Sequence, residues 1–129
     1  MNEIDCFYHV AGSYGPPKLI KVDVDELDKV RELINCDAID IVQRKIGSRV
    51  YHIICDDEAL LKKNPVPATF DFSTFRVDIF GNILICSGEI NGDELVGLNE
   101  EEQKEVRMYS NFHIFLDEKT EVSLVIVGG

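Results

Sequence analysis

The sequence has no tryptophan, only 2 methionines and 4 prolines, and little positive charge for its 129 residues. The 13 Lys and Arg side chains are outnumbered by 24 Asp and Glu, which gives a formal net charge of −11 at pH 7. Neutralising a phosphate backbone requires a dense face of cations, and the few present here are scattered. The composition therefore argues against direct binding of nucleic acid.

Signals for a membrane or for secretion are also missing. No apolar run approaches the roughly 18 residues that a membrane span needs. The N-terminal residues 1–5 have neither the basic nor the apolar part of a secretion signal. We therefore expect a cytoplasmic protein with no membrane contact.

Patterns that carry catalysis or metal binding are absent as well. The cysteines, Cys6, Cys36, Cys55 and Cys86, form no Cys-x-x-Cys pair and lie in or beside apolar runs, which favours buried free thiols. His52 lies three residues before Cys55, and an odd offset on a strand places the two side chains on opposite faces. No Gly-rich phosphate-binding loop is present. We expect no catalytic residues, no metal and no cofactor.

What is present fits one folded domain. Apolar residues make up 45% of the chain and charged residues 29%, and a chain of this length buries about two-thirds of its unfolded surface. Alternating or continuous apolar runs predict strands at 4–10, 18–22, 38–46, 49–55, 83–86, 111–117 and 121–127. We predict a single α+β domain over residues 1–129, with a mostly antiparallel sheet and two main helices.

Two capping boxes predict where those helices begin. Asp23-x-x-Glu26 precedes a helical apolar spacing that runs to Asn35, and Asn99-x-x-Glu102 precedes a polar segment that runs to Met108. Gly47-Ser48 predicts a type II′ turn between two strands, with Ile46 paired with Arg49. In this register Asp40 faces Cys55 and would raise the pKa of its thiol.

Two segments leave alternatives open. Residues 66–80 are rich in phenylalanine and are predicted either as extended chain or as a packed loop. Residues 121–127 are apolar on both strand faces, so this strand is either internal to the sheet or an edge that pairs with a second copy to form a homodimer.

The order of features resembles a small domain-of-unknown-function family found mainly in proteins of bacteriophages, plasmids and other mobile elements. The residues that carry this resemblance are the strand entry at 37–42, the Cys-Asp-Asp-Glu turn that leads to an Asn at 55–64, and the Gly-started apolar strand at 81–88. The resemblance covers residues from about 4 to 108 and leaves the predicted hairpin 111–127 outside. It implies an origin and a fold, but no reaction.

Three groups of charged residues are candidate binding sites. Residues 65–129 hold 12 acidic and 4 basic side chains, whereas residues 1–64 hold 12 and 9. An acidic surface would therefore lie on the second helix, and a basic cluster would lie at the hairpin tip. The candidates are the acidic surface Glu100, Glu101, Glu102 and Glu105; the basic hairpin tip Arg44, Lys45, Arg49 and Tyr51; and the acidic turn Asp56, Asp57, Glu58 and Asn64.

These groups define two functional hypotheses. The first is a non-enzymatic accessory protein of a phage or mobile element, which binds a host protein and inhibits it, as an anti-defence protein would. The second is a binder of a nucleotide or another phosphorylated small molecule at the basic hairpin tip. A hydrolase that uses the acidic turn has the least support.

Overall fold

Strands dominate the computed structural model, which describes residues 3–128; the ends of the predicted domain, residues 1–2 and 129, lie outside the described residues. About 44% of the described chain is strand and 16% is helix. The elements are β1 Glu3–His9, β2 Lys18–Asp23, α1 Leu27–Ile34, β3 Ile39–Ile46, β4 Arg49–Asp56, a 3₁₀ turn Ala59–Leu61, β5 Thr69–Asp71, β6 Arg76–Val77, β7 Ile83–Ser87, β8 Ile90–Asn91, β9 Glu94–Leu95, α2 Glu100–Met108, β10 Phe112–Phe115 and β11 Glu121–Val127. Neither helix of this part is long and apolar enough to cross a membrane.

The predicted α+β class is wrong, because the described chain is a sheet-dominated domain with 11 strands in three sheets and only two helices. Residues 66–80, left open between extended chain and loop, contain β5 and β6. Strands of two or three residues offer too few positions for an alternating pattern to be seen. These short strands join β10 and β11 in a second sheet that the sequence pattern did not reveal.

The largest sheet has five strands in the order β2-β1-β7-β4-β3, and every neighbouring pair in it is antiparallel. The second sheet has the order β10-β11-β5-β6, in which β11 and β5 run parallel. β8 and β9 form a separate two-stranded sheet. The sequence left β11 as either an internal strand or an edge strand. It is internal, since both of its neighbours belong to the same chain.

Both faces of the five-stranded sheet are covered. On one face, Leu84 and Cys86 of β7 pack with Val30 and Ile34 of α1. On the other face, the side chains of the sheet pack against α2 and against β11 of the second sheet. The second group includes Phe7, Ile53, Ile83, Ile85, Val106, Val125 and Val127. The layers are thus α1, the five-stranded sheet, and then the second sheet together with α2.

Several local predictions are confirmed. The β3–β4 hairpin has the predicted pairing of Ile46 with Arg49, and Gly47 at the turn has the positive φ of 64° that a II′ turn requires. Asn99 forms the predicted capping box with Glu102. Asn35 ends α1 in the left-handed conformation.

The capping box predicted at Asp23 is wrong. α1 begins at Leu27, and its N-cap Glu26 makes no side-chain capping hydrogen bond. The Asp23 carboxylate instead accepts a hydrogen bond from the amide of Asp25 at 3.0 Å. Asp therefore forms a local turn here in place of a cap, which is the competing use of a short acidic side chain.

Gly88, directly after β7, lies at a point where the backbones of β7 and β4 approach each other closely. A Cβ atom at this position would collide with the backbone carbonyl oxygen of Val50, which cannot rotate away as a side chain would. We expect Gly88→Ala to lower the free energy of unfolding by about 1–3 kcal/mol, measured by urea denaturation. The matched change Gly92→Asn lies in open space at a φ of 66° that Asn tolerates, and it should cost much less. Equal costs for the two variants would contradict the proposed collision.

Candidate functional site

The basic hairpin tip and the acidic surface, predicted as two separate sites, lie against each other. The Glu105 carboxylate accepts hydrogen bonds from the Ser48 amide at 2.9 Å, the Ser48 hydroxyl at 2.6 Å and the Tyr51 hydroxyl at 2.7 Å. Arg49 forms ion pairs with Glu105 at 3.2 Å and with Glu101 at 3.1 Å. The two candidate surfaces therefore neutralise part of each other's charge.

The turn of the β3–β4 hairpin makes this contact possible. Gly47 lies so close to α2 that a Cβ atom there would come within 2.7 Å of the Tyr109 ring and 2.8 Å of the Glu105 carboxylate. Tyr51 of β4 is fully buried, and its hydroxyl donates to the Glu105 carboxylate of α2. Glycine at the turn thus allows the hairpin tip to dock on α2.

These hydrogen bonds control the ionisation of Glu105. Burial alone would raise the pKa of its carboxyl group, but donors from Ser48, Tyr51 and Arg49 outweigh burial and lower the pKa to about 2. Burial and the charge of Glu105 raise the pKa of Tyr51 well above its usual range. Glu105 is therefore an ionised structural group under all ordinary conditions.

The rest of the predicted acidic surface is divided between structure and solvent. Glu102 is buried, and its carboxylate accepts hydrogen bonds from the Ser87 hydroxyl at 2.7 Å and the Asn99 amide at 2.9 Å. Glu100 and Glu101 are exposed. Glu102 and Glu105 thus join α2 to the large sheet, Glu101 is exposed but pairs with Arg49, and Glu100 faces solvent.

The remaining members of the basic hairpin tip, Arg44 and Lys45, form no ion pair with Glu105 in the part of the chain that the structure describes. Arg44 forms a two-pronged ion pair with Asp78, with distances of 2.7 and 3.2 Å. Lys45 is exposed and forms no ion pair within residues 3–128. Both arginines of the predicted phosphate site are therefore paired with carboxylates of the same chain.

The acidic turn is split in a similar way. The Asp56 side chain is only 2% exposed and lies 2.8 Å from the ammonium group of Lys62. Asp57 and Glu58 are exposed. Asn64 has a left-handed φ of 58° and lines a small pocket of about 220 Å³ together with Asp56, Lys62 and Lys63. The structure thus brings Asp56 and Asn64 together and leaves the other two acids in solvent.

Cys55 and His52 do not form a nucleophile–base pair, and the close thiol pair Cys6–Cys86, with sulfurs 3.3 Å apart, is buried. Burial, reinforced by the carboxylate of Asp40, raises the pKa of the Cys55 thiol to about 12, which is opposite to what a nucleophile needs. His52 contacts the carbonyl oxygen of Ser87 at 3.0 Å and the side chain of Gln43 at 3.2 Å. All four cysteines are free, as predicted, and Cys6, Cys55 and Cys86 are buried, whereas Cys36 is only partly buried. Within residues 3–128 no group of three or more His, Cys, Asp or Glu is placed to hold a metal ion.

A different surface stands out on the second sheet. Phe70, Phe72, Phe75 and Phe112 form a cluster whose ring centroids lie 5.1–6.3 Å apart, and we call it the aromatic face. The strand register places Phe70 beside Ile126 and Phe112 beside Leu124, on the side of β11 opposite the core residues Val125 and Val127. The aromatic face is therefore the outer side of the second sheet.

Much of this apolar surface is exposed to solvent. Phe72 is 49% exposed and Phe75 is 76% exposed. Met108, at the end of α2, is 71% exposed and borders a shallow groove with Phe72, Tyr109, Phe112 and Ile126. The sequence signal was the run of phenylalanines in residues 66–80, but it did not show that the same sheet would also bring Phe112 and Met108 there.

The Glu105 contact predicts a specific loss of stability in acid. Because the folded pKa of Glu105 is below its unfolded value of about 4.3, the contact stabilises fully above that pH and weakens as the pH falls toward 2. We expect Glu105→Gln to cost about 1–3 kcal/mol at pH 7, and this cost should shrink between pH 5 and 2 in urea denaturation. Glu100→Gln, an exposed change on the same helix, should stay within about 0.5 kcal/mol. A cost of Glu105→Gln that does not change with pH would contradict an ionised Glu105 contact.

The sequence of this chain matches one known protein family. Residues 7–113 match the model of a family described as a domain of unknown function, DUF3846. No curated protein and no solved structure gives a significant match. The match spans most of the chain, including both helices and all of the five-stranded sheet except the first residues of β1. The predicted resemblance to a domain-of-unknown-function family is thereby confirmed, and the chain belongs to the DUF3846 family.

Proposed function

We propose that this chain is a non-enzymatic protein-binding module that uses the aromatic face to hold its partner. As the accessory protein of a phage or mobile element, it would act in the host cytoplasm by binding and inhibiting a host protein. The observation that carries the proposal is the solvent exposure of the aromatic face. Phenylalanine and methionine side chains that cluster on a surface are typical of protein interfaces.

The energetics favour binding at this surface. Exposed apolar area contributes about 25 cal/mol per Å² when it is removed from water, and a few aromatic side chains usually supply most of the binding energy of an interface. Phe72 and Phe75 contact each other and Phe70, so they are held in place before a partner arrives. Little side-chain entropy would be lost on binding.

The charge of the chain indicates what kind of partner fits. A net charge of −11 attracts a protein with lysine and arginine side chains around an apolar contact point, and it repels a second copy of this chain. Host proteins that bind nucleic acid carry such basic surfaces. The proposed partner is therefore a basic host protein, such as a nucleic-acid-binding enzyme of host defence.

Copurification from the native host tests this proposal. A tagged chain should recover a basic protein whose purified form binds it directly in calorimetry. The double variant Phe72→Ser, Phe75→Asn should weaken that binding at least about 30-fold, the effect of losing a residue that dominates an interface. Asn at position 75 suits the left-handed φ of 58° there.

The control is Leu61→Ser, which removes an even more exposed apolar side chain (82%) from the 3₁₀ turn and should leave binding unchanged. Equal binding by the double variant and the control would contradict a role for the aromatic face. If no protein that binds the chain directly is recovered, the proposed protein-binding function is contradicted.

A second candidate function is binding of a nucleotide or another phosphorylated small molecule. The observation that favours it is the pocket beside Asn64, where Lys63 forms no ion pair within the part of the chain that the structure describes. Lys62, the other cation of the pocket, is already paired with Asp56. The basic hairpin tip supports this function less, because Arg44 and Arg49 are also paired.

Thermal denaturation with a panel of nucleotides and inorganic phosphate separates the two functions. A ligand that binds only the folded state must raise the melting temperature. We expect no rise with any member of the panel. A rise that Lys63→Gln removes would favour the second candidate over the first.

A further inference from the structure

The geometry points to β10 as the place where the partner binds, by adding an extended basic segment to the second sheet as a further strand. This inference rests on the proposed protein-binding function and deepens it by naming the mode of binding. In strand addition, backbone hydrogen bonds supply affinity, and alternate side chains supply specificity.

The outer edge of β10 is free to accept such a strand. β10 is the first strand of the order β10-β11-β5-β6, and the amide of Leu116 donates to the carbonyl of Thr120 across the turn. Hydrogen-bonding positions alternate along an antiparallel pair, so Phe112 and Ile114 face β11 and His113 and Phe115 face outward. Neither outward residue has a backbone hydrogen bond among those of residues 3–128.

The other edges of the two larger sheets are protected, whereas β10 is not. Charged side chains and very short strands are the usual means by which proteins prevent unwanted pairing at a sheet edge. β10 has the sequence Phe-His-Ile-Phe, with no lysine, acid or proline. The protected edges are β2 with Lys18 and Lys21, β3 with Asp40, Arg44 and Lys45, and β6 with only two residues.

The side chains of β10 extend existing apolar surface to both sides of an added strand. Phe112 and Ile114 lie on the side of the aromatic face, where the Phe112 ring is 5.9 Å from the Phe72 ring. Phe115 lies on the other side and is 66% exposed. An added strand would therefore find an apolar neighbour for its side chains on each face.

The charges at the end of β10 favour a basic segment. The turn between β10 and β11 contains Asp117 and Glu118, and Glu121 follows at the start of β11, with Lys119 as the one cation of this stretch. His113 lies 3.3 Å from Glu121. A segment with lysine or arginine would gain from these acids, and a second copy of the chain would bring more acids to the same place.

A peptide titration followed by NMR tests the inference. The probe is an eight-residue peptide that alternates lysine with valine. Its controls are the same peptide with every second backbone nitrogen methylated and a twin with glutamate in place of lysine. We expect the probe to shift the amide signals of His113 and Phe115 and to bind at least tenfold more tightly than either control. Equal binding of the methylated peptide would overturn strand addition, and equal binding of the glutamate twin would overturn the basic character of the segment.

A proline variant tests the same edge on the protein. His113→Pro removes an outward amide without removing a hydrogen bond to β11, so binding of the probe should fall at least tenfold. His113→Ala loses the same side chain but keeps the amide, and it should bind within about twofold of the parent. If the proline variant fails to fold, the comparison with the methylated peptide still tests strand addition. A concentration-dependent dimer that His113→Pro abolishes would overturn the inference by showing a second copy at this edge.

The partner recovered by copurification separates this inference from the proposed function. If that partner still binds the His113→Pro variant but no longer binds the Phe72→Ser, Phe75→Asn variant, strand addition alone is overturned. Binding that survives both sets of changes would overturn the proposed use of the aromatic face as well. Loss of binding in both is the expected result.

Discussion

The burial of β7 on both faces is the constraint on which the rest of the structure depends. Each residue from Ile83 to Ser87 is buried, and successive side chains of a strand point to opposite sides. Two separate layers must therefore cover the large sheet. α1 covers one side with a single apolar stripe, and the second sheet with α2 covers the other.

This constraint also determines where apolar surface is left over. The inner side of the second sheet is used to cover β7, through Val125 and Val127. On its outer side Leu124 is fully buried and Ile126 nearly so, and the apolar surface left exposed there belongs to Phe72 and Phe75. The second sheet uses its inner side to cover the main sheet. The phenylalanine side chains on its outer side therefore remain as exposed apolar surface.

Charge is used in two ways in this molecule. The carboxylates of Glu105 and Glu102 hold α2 on the large sheet, because they accept hydrogen bonds from the hairpin tip and from Ser87. Other acids, such as Glu100, Asp117 and Glu118, remain in solvent. Of the acids that make up the net charge of −11, the exposed ones are those that act on partners.

Most features that depend on a few neighbouring residues could be predicted from the sequence, although the capping box at Asp23 was predicted wrongly. The II′ turn at Gly47 sets the register of its hairpin, and the Asn99 capping box sets the start of α2. Features that depend on distant segments could not be predicted. The second sheet joins residues near 70 to residues near 125, and Glu105 meets Ser48 across 57 positions of the chain. The fold class and the pairing of the two charged groups were missed for this reason.

Native-state amide hydrogen exchange of the free protein tests the central claim most directly, namely that the β10 edge beside the aromatic face is open for a partner. The claim predicts slow exchange at Phe112 and Ile114, whose amides face β11, and fast exchange at His113 and Phe115, whose amides face outward. Strong protection of His113 and Phe115 in the free protein would show that the edge is already covered, and it would contradict the claim.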